Sequence, residues 1–142
     1  VSEIPDYVEA LRLFLLDDDD VAELVDTRGF GGELPVQEAE EMPRTAIVIR
    51  EAGGGVLGTG FQAYGDQRVD VLAYGATPLE ASDLYRVIQP ALKQLARVVF
   101  AECLLHWARR AGGPVPMRDP NTDWPFMYSS WQLLVAETPV AS

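Results

Sequence analysis

Residues 68–95 read RVDVLAYGATPLEASDLYRVIQPALKQL, and they constrain the fold more narrowly than any other stretch. Val69, Val71 and Ala73 alternate with Arg68, Asp70, Leu72 and Tyr74, the period-two pattern of a strand with one face in a core. Gly75 and Ala76 turn the chain. Thr77 is then an N-cap, Pro78 suits the first helical position, and Glu80 stands where a capping-box carboxylate reaches back. Leu84, Val87, Ile88, Ala91, Leu92 and Leu95 follow at helical spacing as one apolar stripe. Pro90 lacks an N–H and crowds the carbonyl of Arg86, at a cost of about 3 kcal/mol inside a helix. A kink or a break is therefore expected there. A strand followed by a helix that folds back over it sets the plan for the remaining chain.

The flanking segments add similar pieces. Ile4–Leu16 reads as a first helix with Tyr7, Val8, Leu11, Phe14 and Leu15 on one face. The run Asp17–Asp20 ends that helix and caps a short second one carrying Val21, Leu24 and Val25, since acids are favoured at helix N-termini. A calcium loop needs spaced oxygens and a glycine turn, and this run has neither. Asp26–Met42 reads as a long exposed acidic loop containing Glu33, Glu38, Glu40 and Glu41, either a partner surface or a solvated connection. Thr45–Glu51 is a strong β-branched strand.

Ala52–Gly60 is glycine-rich. Gly53, Gly55 and Gly58 match the spacing G-x-G-x-x-G, but the dinucleotide fingerprint requires a helix next, and Thr59–Gly65 has no helical period. Two arms of a hairpin with a mobile tip fit better. Such a tip is either slack or an arm that orders against a neighbouring subunit. Val98–Trp107 reads as a strand with Val99, Ala101, Cys103, Leu105 and Trp107 on one face. Phe100, Glu102, Leu104 and His106 then face the other way, His106 at a sheet edge or beside a carboxylate. Arg109–Pro125, with its glycines and prolines, reads as a loop. Met127–Ala136 is a last strand with Trp131, Leu133 and Val135 on one side. Trp124, Phe126, Met127, Tyr128 and Trp131 form an aromatic cluster that should be largely core. Thr138–Ser142 should fray.

The expected architecture is one α+β domain over residues 1–142, an antiparallel or mixed sheet of four to five strands with helices packed on one face. Function classes are narrowed mainly by what is missing. Twenty-two acids against eleven bases give a net charge of −11, which disfavours binding of free nucleic acid but lets DNA slide past. One cysteine precludes an intramolecular disulfide, and Cys103 reads as a small core residue. Cys103 and His106 alternate to opposite sides, and there is no second histidine, so no catalytic dyad forms. No P-loop, HExxH, CxxC or GxSxG occurs, nor a signal peptide or membrane span. The expectation is a non-enzyme without catalytic residues, metal or cofactor. The alternative is a cytosolic α+β enzyme with an acid-only site built, for example, on Asp66 and Asp70.

One family resemblance runs along most of the chain. Val8–Arg12 leading to the acidic break and Val21–Val25, Pro43–Ile49, Arg68–Tyr74 and Thr77–Ala81 resemble the opening, first strand and best-defined block of the tail terminator, or head–tail joining, proteins of long-tailed bacteriophages. Pro114–Pro125 has no counterpart in that pattern. The resemblance implies a virion protein of the neck region, made in the host cytoplasm. It forms a six-membered ring that caps the tail tube, ends its polymerisation and joins it to the head connector, with DNA passing through the centre. Its partners are then further copies of itself, the tail tube protein and the head–tail connector protein, and the related alternative is a connector of the same neck. On that reading Gly53, Gly54, Gly55, Val56, Leu57, Gly58, Gly60 and Phe61 are the candidate assembly interface. Glu33, Glu38, Glu40, Glu41 and Asp66 are a candidate acidic partner loop or channel face.

Overall fold

The structure is a computed structural model that describes residues 6–56 and 64–136, and only the backbone of 53–56 and 64–66. Among these residues the order is α1 (Tyr7–Asp17), α2 (Asp19–Val25), β1 (Gly29–Gly31), α3 (Val36–Ala39), β2 (Ala46–Val56), β3 (Tyr64–Tyr74), α4 (Pro78–Lys93), β4 (Ala96–Phe100), β5 (Cys103–Arg118) and β6 (Pro125–Ala136). The six strands form one sheet in the order β1-β2-β3-β6-β5-β4. β1 runs parallel to β2, and every other neighbouring pair is antiparallel. The fold is α+β with a mixed sheet, as the periodicities imply, but it has six strands where four or five were expected.

The local signals around α4 hold in detail. Thr77 Oγ1 accepts from the Glu80 N–H at 3.2 Å, and Glu80 Oε1 reaches back to the Ala76 N–H at 3.4 Å. The expected break at Pro90 does not occur: α4 runs on to Lys93. The ring of Pro90 faces solvent near the helix end, while Ile88, Ala91 and Leu92 around it are buried and hold the last turn down. Asp18 links the first two helices, as the charge run suggests. It closes α1, and its carboxylate accepts from the N–H groups of Asp20 and Val21 at 3.0 and 3.1 Å to cap α2.

The main core lies between the sheet and α1, α2 and α4. Leu11, Leu15, Val21, Leu84, Ile88 and Leu92 meet Ile47, Ile49, Val69, Val71, Trp131 and Leu133, all essentially fully buried. Each such side chain contributes about 1.5–3 kcal/mol of burial free energy. Trp131 carries a polar atom into this core, and its indole N–H donates to Ser129 Oγ at 3.0 Å. The opposite face is also partly apolar. Ala46, Val48, Leu72, Tyr74 and Phe126 form a second cluster, covered by Phe30, Leu34, Met42 and Trp124. The three longer helices α1, α2 and α4 therefore cover one face, as expected, while the 30–42 segment, which includes the short helix α3, covers part of the other. The aromatic group expected to be one cluster is split by strand alternation: Trp131 and Met127 face the helices, while Trp124, Phe126 and Tyr128 face away.

Three segments differ from expectation. Val98–Trp107 is not one strand. β4 and β5 meet at a two-residue turn, Ala101-Glu102, with φ of 50° and 59°. Two consecutive left-handed residues are the geometry of the tight hairpin turn that normally recruits Asn and Gly, and here Ala and Glu adopt it. Asp26–Met42 is not wholly irregular, since it contains β1 and α3. Arg28 anchors its start, donating to the Thr45 and Leu24 carbonyls at 2.7 and 3.2 Å. Gly29 lets α1 lie close, because a Cβ there would stand 3.1 Å from Leu16. Arg109–Pro125 is not a loop either, as β5 continues through Gly112, Gly113, Pro114 and Pro116 to Arg118.

Candidate assembly surfaces

The glycine-rich arm is a continuation of the central sheet. β2 and β3 pair beyond a register shift between Glu51 and Gly54, with Gly54 opposite Gln67, Gly55 opposite Asp66 and Val56 opposite Gly65. β3 stays paired with β6 over the same length, up to Tyr64 opposite Ala136. Gly53, Gly54, Gly55 and Val56 thus belong to β2. Leu57, Gly58, Gly60 and Phe61 lie outside the described residues, as do Ile4 and the tail Thr138–Ser142. Among the described residues, the element after these glycines is the strand β3, whereas a pyrophosphate site needs a helix N-terminus.

The acidic segment is less uniform than its composition implies. Glu33, Glu40 and Glu41 are exposed. Glu38 is buried, which corrects its assignment to an exposed loop. Arg44 grips it with two parallel bonds, Nε to Oε1 at 2.8 Å and Nη2 to Oε2 at 2.7 Å. The Arg44 hydrogen bonds hold the Glu38 carboxyl below the usual carboxylate range, against the opposing effect of burial. Glu38 is therefore a structural clasp between α3 and the entry to β2. Asp66 does not join this segment. It sits on the arm end of β3, opposite Gly55 and Leu134, whereas Glu33, Leu34 and Ala39 border Val48, Leu72 and Tyr74 at the other end.

Nothing here assembles an acid-only catalytic site from Asp66 and Asp70. Four residues along one strand separate them by about 13 Å, too far to share a proton or a reacting atom. Asp70 is engaged elsewhere, accepting from the Tyr128 hydroxyl at 2.8 Å and lying 3.7 Å from Arg50. Among the described residues, no three of His, Cys, Asp and Glu converge as a metal site. Cys103 is buried in the main core, and burial pushes its thiol up to about 11. His106 occupies a register shift between Leu105 and Trp107. It lies between two paired strands, so it is not at the expected sheet edge. Burial, then the nearby Arg97 charge, lowers its pKa. The same shift turns Trp107 away from the Cys103 and Leu105 side, so Trp107 does not share their face.

Sequence reasoning missed a third surface, the outer half of β5. Pairing with β4 ends at Trp107 opposite Ala96, so from Ala108 to Arg118 one edge of β5 has no strand partner among the described residues. That position makes Pro114 and Pro116 tolerable, because an edge strand can turn a missing N–H to solvent. Register shifts at Gly112 and Gly113 absorb extra residues. Gly113 has φ of +80°, and a Cβ there would stand 2.5 Å from the Tyr128 carbonyl oxygen. The exposed side chains include Arg109, Arg110, Val115 and Met117. Arg109 stacks 4.2 Å over the Trp107 ring. An apolar groove of 210 Å³ adjoins this edge, lined by Pro78, Ala81, Pro116, Met117, Phe126 and Met127. The available sequence signal was the turn chemistry at Asp119–Asp123. Asp119 Oδ1 accepts from the N–H groups of Asn121 and Thr122, which marks the real loop.

No helix among the described residues is long and apolar enough to cross a membrane. No family model matches the sequence, and no curated protein matches it. A solved structure shares the fold: a chain in the virion of native gene transfer agent (GTA) particle, 20% identical. The match covers 89% of this chain and 92% of that chain, with a TM-score of 0.62. At that identity the likeness is one of fold.

Proposed function

We propose that this chain is a structural virion protein, without catalytic activity, that forms a ring at the end of a tail tube. The ring ends tube growth and joins the tail to the head connector, with DNA passing through its centre. One observation carries the reading: nearly the whole chain shares its fold with nearly the whole of a chain from a GTA virion. The match spans most of both chains, which supports reading residues 1–142 as a single module. The tail-terminator-like blocks at Arg68–Tyr74 and Thr77–Ala81 correspond to β3 and the start of α4 and supply the finer assignment. A net charge of −11 per copy suits a channel that repels DNA. The candidate contacts with neighbours or tube remain Gly53–Phe61 and the exposed carboxylates Glu33, Glu40 and Glu41.

The test is electron microscopy of particles produced with this gene deleted. Overlong tubes separate from filled heads are the expected result. Tails of normal length that fail only to attach would assign the chain to the adjacent connector. Unaffected particles would remove the virion role.

A further inference from the structure

We infer that the outer edge of β5 docks on the β1–α3 segment of a second copy, so that copies join head to tail. This deepens the ring reading and rests on it for the number of copies. The two surfaces lie toward opposite sides of the sheet: β1 is the end strand on one side, and on the other β5 beyond Trp107 extends past its pairing with the end strand β4. They differ in charge. Residues 84–118 contain six bases and one acid, while the first 51 residues contain fourteen acids and four bases. On the β5 edge, Arg109 and Arg110 are exposed, and no described carboxylate lies at ion-pair distance from them. On the other segment, Glu33, Glu40 and Glu41 are exposed.

A second observation, independent of charge, selects the same two surfaces. Four large hydrophobic side chains among the described residues are exposed. Val115 and Met117 lie on the β5 edge, and Val36, 73% exposed, lies in α3 between Glu33 and Glu40. The fourth, Leu79, lies in the first turn of α4 next to Pro78, which lines the groove beside the β5 edge. Each surface thus carries charge together with an exposed apolar side chain, and a second copy of the chain supplies complements to both. Pro114 and Pro116 interrupt the N–H row of the edge, so the contact is made through side chains and not by strand addition. Two different surfaces in contact make a heterologous junction, the kind that closes into a ring.

Charge reversal tests the pairing. Sedimentation velocity would compare the wild-type chain with R109E/R110E, with E33K/E40K/E41K, and with a one-to-one mixture of the two variants. Identical melting curves would establish that all of them fold. The wild type should associate with concentration and dissociate as salt rises. Each variant alone should associate about a hundredfold more weakly, because like charges then face each other. The mixture should recover association, because each variant's reversed surface complements the other's. A wild type that stays monomeric at ~1 mM would overturn the inference. So would association that survives either reversal, or a loss that mixing fails to rescue. Association insensitive to R109E/R110E, alongside loss of duplex DNA binding by that variant, would reassign the arginines to phosphate. A ring surviving both reversals would leave the virion role standing, whereas unaffected particles in the deletion experiment would remove that role and leave self-association untouched.

Discussion

β6 and the outer half of β5 are the two sides of one hairpin, and they obey different rules. β6 is flanked by β3 and β5, so both rows of its backbone groups are used and its side chains meet cores on both faces. Its sequence is correspondingly apolar, with Trp131, Leu133 and Val135 fully buried. From Ala108 onward, β5 is bonded along β6 only. There the chain tolerates two prolines, two glycines and three arginines within eleven residues. The same secondary structure is held in β6 by burial and in outer β5 by its neighbour.

The largest test of this contrast is truncation. Trp131→Ala should cost about 3–5 kcal/mol, read as a shift in the urea midpoint. Met117→Ala should stay within about 0.5 kcal/mol. Similar losses would mean that outer β5 is part of the core after all. Next come the glycines. Gly113→Ala must place a side chain at positive φ and against the Tyr128 carbonyl, an expected loss of about 2 kcal/mol. Gly112→Ala should be tolerated, since its added Cβ would meet nothing nearer than Ser130 Cβ at 3.8 Å. Equal effects at the two positions would argue against the described bulge.

A smaller effect, of opposite sign, is expected where β5 begins. Glu102→Gly relieves a left-handed residue in the two-residue turn and should stabilise by about 1 kcal/mol; a loss would mean that the turn is built differently. The mildest probe is labelling. Cys103, buried with its thiol raised to about 11, should resist alkylation in the native state at neutral pH. A cysteine placed by Met117→Cys should react at the rate of a free thiol. Protection of both would mean that outer β5 is already covered.

Much of the site-forming framework was legible in the residues. The two-strand glycine hairpin, the helix junction at Asp18 and the capped start of α4 were all readable from spacing. What composition could not separate was Glu38 from Glu40 and Glu41. All four carboxylates of that segment look alike in sequence, yet Arg44, six residues on, buries one of them. The outer edge of β5 was hidden for a related reason. Its Pro and Gly content is the usual mark of a loop, and only its place at the sheet margin makes it a strand.

By itself the sequence determined the local events. Thr77, Pro78 and Glu80 start α4 within four residues of one another, Asp18 serves two helix ends, and alternation sets which side of β3 and β6 faces the helices. These depend on bonds and periods that close within a few residues. Tertiary structure decided the rest: the Ala101-Glu102 turn, the burial of Glu38, and β5 as a strand to Arg118. Val115 opposes Tyr128 and Arg118 opposes Pro125, so the strand exists only because β6 lies beside it. Its backbone bonds are supplied by residues seven or more positions away, and whether a proline is allowed depends on whether anything lies on the other side.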